Sequence, residues 1–146
     1  MRFITPFVVA LTGVTATSAQ GNCVSDAMIV FDGSGSMAEM GFNDISEPRI
    51  FEARRAMAAA IPPIAENRRL GLVIYGPNGV DECTGLDVRF APIADAAPRI
   101  LNDVNMLEPT GSTPLTEAVS LAARTMDYQT RPATILLVTD GKETCG

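Results

Sequence analysis

Residues 29–37 read "IVFDGSGSM": an apolar run stops at Asp32, and the next four positions alternate glycine and serine. With the residues before it, "DAMIVFD" (26–32) has the pattern of a short strand buried on both faces. Directly beyond it stand three oxygen carriers at spacing two, Asp32, Ser34 and Ser36. An ordinary turn needs only one or two such residues. Alternate side chains of an extended loop project to the same side, so these three can converge on one point. The intervening Gly33 and Gly35 are expected to let the backbone bend closely around it.

Two further runs match the first. "LGLVIYG" (70–76) reads as a second buried strand, and "ATILLVTDG" (133–141) as a third that also ends on an acid followed by glycine. Between them, "LDVRFAPI" (86–93) alternates like an edge strand. "PRIFEARRAMAAAI" (48–61) predicts a helix with Ile50, Ala53, Met57 and Ala60 on its apolar side, ended or kinked by Pro62 and Pro63. "DAAPRILNDVNML" (95–107) and "LTEAVSLAARTMDY" (115–128) predict two more helices. The order strand, helix, strand, strand, helix, helix, strand describes an α/β domain on a mainly parallel sheet. In such sheets ligands bind beyond the carboxyl ends of the strands, where Asp32 and Asp140 both fall.

Composition removes several functions. The 146 residues suit one domain, are 47% hydrophobic, contain no Trp and carry a formal charge of −6. An acidic chain has no basic footprint for nucleic acid. With no histidine, a Ser-His-Asp triad and histidine-based zinc motifs are excluded. No phosphate-cradling loop ending in Gly-Lys-Ser/Thr is present, and three cysteines without a Cys-x-x-Cys pair argue against structural zinc.

What remains is oxygen: Asp32, Ser34, Ser36, Thr113 and Asp140, on loops expected to meet at one end of the sheet. A hard cation such as Mg²⁺ takes oxygen ligands and commonly keeps waters. Each residue also has a plainer reading. Asp32 can form a turn, Ser34 or Ser36 can cap the next helix, Thr113 can cap the helix through Leu115, and Asp140-Gly141 is a common turn pair. Singly the plainer readings win; together, in order on the strand tips of one sheet, the metal reading does.

At these residues the sequence resembles the von Willebrand factor A domain family. "FDGSGSM" is similar to the family's Asp-x-Ser-x-Ser element, "TGSTPLTEA" to its threonine loop, and "LLVTDGKE" to its last metal-loop aspartate. The resemblance spans about residues 24–144 and is closer to the bacterial branch than to integrin inserts. It implies a Rossmann-like, mostly parallel sheet with one antiparallel edge strand, flanked by helices, and a metal-ion-dependent adhesion site. In that site Ser34, Ser36 and Thr113 would contact Mg²⁺, or Mn²⁺ or Ca²⁺, through hydroxyls. Asp32 and Asp140 would act mostly through water, and a protein partner would supply an acidic ligand. The function implied is a non-catalytic binding module. Family domains continue past the third motif, so the resemblance also implies a C-terminally truncated domain with its last strand at an exposed edge.

Two alternatives stay open: a Mg²⁺-dependent phosphoryl-transfer hydrolase using Asp32, and an inactive fragment. The hydrolase is disfavoured because the motif loops before Lys142 offer no Lys or Arg beside the metal. The start, "MRFITPFVVALTGVTATSAQG", matches a secretory signal peptide over residues 1–19, followed by the domain over 20–146. Its apolar stretch is shorter than the roughly 20 residues of a membrane span. The protein is therefore expected to be exported, periplasmic or extracellular, where Cys23, Cys83 and Cys145 tend to oxidise. The expected bridge runs from Cys145 to a cysteine beyond Gly146, with Cys23 and Cys83 too far apart to pair.

Overall fold

The computed structural model describes residues 26–41, 46–79, 81, 83–141 and 143–146. The signal-peptide reading of residues 1–19 and the placing of Cys23 lie outside the described residues.

Strand β1 (Asp26–Asp32) is buried from Ala27 onward because helices cover both its faces. Ala27, Ile29 and Phe31 pack with Ile50, Met57 and Ile61 of helix α1 (Arg49–Ala65) and with Ile100 and Val104 of helix α2 (Ala97–Asn105). Met28 and Val30, on the other face, pack with Ala118 and Ala122 of helix α3 (Leu115–Thr125). Strict alternation feeding two apolar layers gives an unbroken apolar run, the mark of a central parallel strand.

β1 pairs in parallel with β2 (Leu70–Tyr75) on one side and β4 (Ala133–Val138) on the other. β3 (Leu86–Ile93) runs antiparallel to β2, giving the order β3-β2-β1-β4. The expected α/β class, with a mostly parallel sheet and one antiparallel edge strand, is what the chain forms. Pro92 stands in edge strand β3 beside Gly71, where the β2–β3 register shifts and the regular ladder is interrupted. β4 is the other edge, and its Leu136 and Leu137 are exposed.

Several local expectations are corrected. α1 runs to Ala65, through Pro62 and Pro63 rather than stopping before them. The prolines withdraw the donors for the carbonyls of Ala58 and Ala59, two residues on the exposed side of the helix, open to solvent. Burial of Ile61 and Ala65 then carries the helix on. Ala60 is exposed, so the core stripe runs Ile50, Met57, Ile61 and Ala65. α2 and α3 are each shorter than their apolar patterns suggested. Arg54 Nε donates to Val104 O at 3.1 Å, satisfying a carbonyl in the last turn of α2.

The cysteines are also corrected. Cys83 and Cys145 form a disulfide with a Cα separation of 5.6 Å. The β2–β3 connection and the segment after β4 both leave the carboxyl end of the parallel strands, so two cysteines 62 residues apart in sequence meet there.

Candidate metal centre

The strand register builds the floor of the site. Phe31 stands opposite Val138, so the next residues, Asp32 and Thr139, are brought side by side, while Asp32 is also paired with Tyr75. Thr139 Oγ1 donates to Asp32 Oδ2 at 2.8 Å and accepts from the Tyr75 hydroxyl at 3.1 Å. The other carboxylate oxygen, Asp32 Oδ1, accepts the backbone N–H of Ser34 at 2.8 Å. Burial, reinforced by the negative charge of Asp32 and Asp140, holds the Tyr75 phenol far above its usual range, so it stays a neutral donor.

From Ser34 a line of oxygens crosses the rim. The Ser34 and Ser36 hydroxyls are 3.0 Å apart, and Ser36 Oγ donates to Asp140 Oδ1 at 2.9 Å. Four of the five candidates, Asp32, Ser34, Ser36 and Asp140, are thus drawn into one cluster. Thr113, 5% exposed, follows Thr110 and Gly111, whose backbones bond to Gly33 and Gly35 of the serine loop. Among the described residues no hydrogen bond joins its hydroxyl to the other four.

Three loops are laced together beneath these side chains. Gly33 N donates to Tyr75 O at 2.8 Å, Thr110 N to Gly33 O at 2.8 Å, and Gly35 N to Gly111 O at 2.9 Å. Among the described residues the glycines with left-handed backbones are Gly76 (φ 105°) and Gly111 (φ 79°), not the pair in the serine motif. A Cβ on Gly111 would stand 2.1 Å from Gly76 O, so the threonine loop rests directly on the β2–β3 connection.

The plainer readings fare unevenly. Asp32 does form a local turn contact, through Ser34 N. Ser34 precedes the short 3₁₀ turn Gly35–Ala38 without a side-chain capping bond. Helix α3 follows Pro114, and Thr113 makes no capping bond to it.

Asp32 is fully buried, and the donors on its two oxygens, Ser34 N–H and the Thr139 hydroxyl, are both neutral. Asp140 is treated differently. Arg49 Nη1 lies 2.7 Å from Asp140 Oδ2, and it also reaches Ser36 O at 3.3 Å and Glu39 at 3.4 Å. The motif loops before Lys142 hold no Lys or Arg, as the argument against phosphoryl transfer had it, yet Arg49 at the start of α1 supplies a cation beside Asp140. Arg49 was invisible to that argument because α1 starts 13 residues after Ser36 and folds back over it. Thr139, Tyr75 and Arg49 are the residues that sequence reasoning missed. Thr139 alone had a signal, its place between the last apolar strand and Asp140.

The fold and the rim define an α/β domain with an oxygen-rich centre at the carboxyl edge of its parallel strands. Residues 27–143 match the family model of the von Willebrand factor type A domain, and the chain belongs to that family. Two curated relatives from Bacillus subtilis, the uncharacterized proteins YwmC and YwmD, are 24% and 25% identical to it. They align with 89% and 88% of this chain, which spans 60% of the length of each. Among solved structures it is similar to the PilB minor pilin of Streptococcus sanguinis, with a TM-score of 0.60 at 22% identity over 81% of this chain and 30% of that one. The SpRpn10 VWA domain gives 0.58 at 14% identity, over 84% of this chain and 63% of that one. At these identities the likeness concerns the fold. Domains of this family mediate protein interactions. No helix among the described residues is long and apolar enough to cross a membrane.

Proposed function

We propose that the chain is an exported binding module that engages an acidic group of a partner protein through a divalent cation, Mg²⁺ or alternatively Mn²⁺ or Ca²⁺. Ser34, Ser36 and Thr113 would hold the ion, with Asp32 and Asp140 behind them. The observation that carries this reading is Asp32: a fully buried carboxylate whose partners are neutral donors. A buried charge is normally paired or placed on a metal. The adjoining donors are all hard oxygens at 2.9–3.0 Å from one another, which suits Mg²⁺ and not a soft metal. A bound cation would leave residual positive charge at the rim for an acidic ligand, because three of its ligands are neutral hydroxyls. The export part of the reading rests on the leader-like residues 1–19 and is in keeping with the pilin likeness.

Calorimetric titration of the whole chain with Mg²⁺ tests the proposal. One-site binding is expected, and loss of that binding in a folded Ser34→Ala/Ser36→Ala variant. No heat of binding by the folded wild type, with Mg²⁺, Mn²⁺ or Ca²⁺, overturns it. Metal-dependent turnover of a phosphoester that disappears in Asp32→Asn would put the hydrolase in its place.

A further inference from the structure

The disulfide touches the site through a short strap. After Asp140 the chain passes over the start of α3, and three consecutive residues are tied down. Glu143 Oε2 accepts the backbone N–H of Thr116 at 2.6 Å, and its Oε1 accepts that of Cys145 at 2.8 Å. Thr144 clasps Thr113 from both sides: Thr113 N donates to Thr144 Oγ1 at 2.9 Å, and Thr144 N donates to Thr113 O at 3.2 Å. Cys145 is bonded to Cys83 in the β2–β3 connection. That same connection carries Gly76, on whose carbonyl oxygen Gly111 rests.

The threonine loop is therefore held between two segments, one beneath it and one across it, and the disulfide is the covalent joint between them. The backbone donor and acceptor of Thr113 are both spent on Thr144. With them engaged, Thr113 keeps one backbone placement beside the serine loop. Without the joint, the described hydrogen bonds that hold the strap on this side are exposed or part-buried, each of modest net strength. A cation site depends on holding its ligands within a few tenths of an ångström, so loosening one of three loops weakens binding before it unfolds the domain.

We propose that the Cys83–Cys145 disulfide and the strap Glu143–Cys145 position Thr113, and that cation affinity therefore depends on the oxidation state of the bridge. This rests on the metal-site reading above. Reduction would be carried out by a dithiol: the Cys83–Cys145 bond breaks, two thiols form, and the dithiol leaves as its own disulfide after giving up two electrons. The oxidised chain is the binding form and the reduced chain the weak one. Glu143 and Thr144 are positioning residues in this scheme, since they act through Thr113.

Two measurements on the whole chain test it, Mg²⁺ titration and amide hydrogen exchange over residues 108–116, each with the bridge oxidised and after reduction by dithiothreitol. Reduction is expected to weaken Mg²⁺ binding by about tenfold or more and to speed exchange at Thr113, with the far-UV helix signal retained. With the bridge intact, Thr144→Ala should weaken binding in the same sense and Thr144→Ser should restore it. Unchanged affinity on reduction, unchanged affinity in Thr144→Ala, or unchanged exchange at Thr113 each overturns the proposal. Loss of the helix signal on reduction also overturns it, by making the bridge a staple of the whole domain. Faster exchange on reduction in a chain whose oxidised form binds no cation overturns the metal reading, and with it the affinity claim, while leaving the strap's hold on Thr113 supported.

Discussion

Replacing Asp32 by Asn separates the two roles of that side chain. In the wild type its oxygens accept two hydrogen bonds, each 2.8 Å long, from Ser34 N–H and the Thr139 hydroxyl. Asparagine keeps the shape and one good acceptor, but turns an amide donor toward the second partner. The mismatch should cost about 1 kcal/mol, the net worth of one hydrogen bond. Against this, the substitution removes a fully buried negative charge that neutral donors alone support, which relieves a desolvation penalty. In chelator the two effects oppose, and the variant should melt within a few degrees of the wild type, on either side. With Mg²⁺ at about 100 times its Kd, the wild type gains about 2.7 kcal/mol. At roughly 4 °C per kcal/mol for a domain of this size, its melting temperature rises by about 10 °C. The variant, without the charge that attracts the ion, should shift by less than about 2 °C. Differential scanning calorimetry of both proteins in chelator and in Mg²⁺ reads all four numbers. An equal Mg²⁺ shift in the two proteins would refute the reasoning. So would a variant destabilised by several kcal/mol in chelator, because the carboxylate would then be a structural member that needs no cation.

Two further outcomes follow from other parts of the molecule. Ile61 is fully buried on α1 directly before its two prolines, so Ile61→Ala should lower stability by about 2–4 kcal/mol in denaturant titration. A loss under about 1 kcal/mol would mean that this turn is not packed as described. Glu143 is held below its ordinary carboxylate range, first by the backbone N–H of Thr116 and also by that of Cys145. A lowered native value means that its contribution is fully present above its ordinary 4.5 and lost as pH falls through the lower native value. Stability measured over that acid range should therefore fall less steeply in Glu143→Gln than in the wild type.

The sequence by itself determined the layered class and the location of the candidate site. Runs such as 26–32 and 70–75 are apolar at every interior position because both sheet faces are covered, and that pattern is local enough to read directly. Asp32, Ser34, Ser36 and Asp140 were legible for the same reason: each follows a recognisable strand, and parallel strands share a carboxyl end. Tertiary structure decided how they are joined. The Tyr75–Thr139–Asp32 chain depends on the register between β1 and its two neighbours, which no single strand encodes. Arg49 meets Asp140 across 91 positions, and Cys83 meets Cys145 across 62, through the packing of α1 and the course of two loops. The prolines of α1 show the same limit from the other side. Proline removes a hydrogen bond wherever it stands, but whether the helix continues depends on water reaching the orphaned carbonyls and on the core waiting for Ile61 and Ala65. "IVFDGSGSM" thus specified a strand and a cluster of oxygens, and the packing of three loops from distant parts of the chain turned that cluster into a single centre.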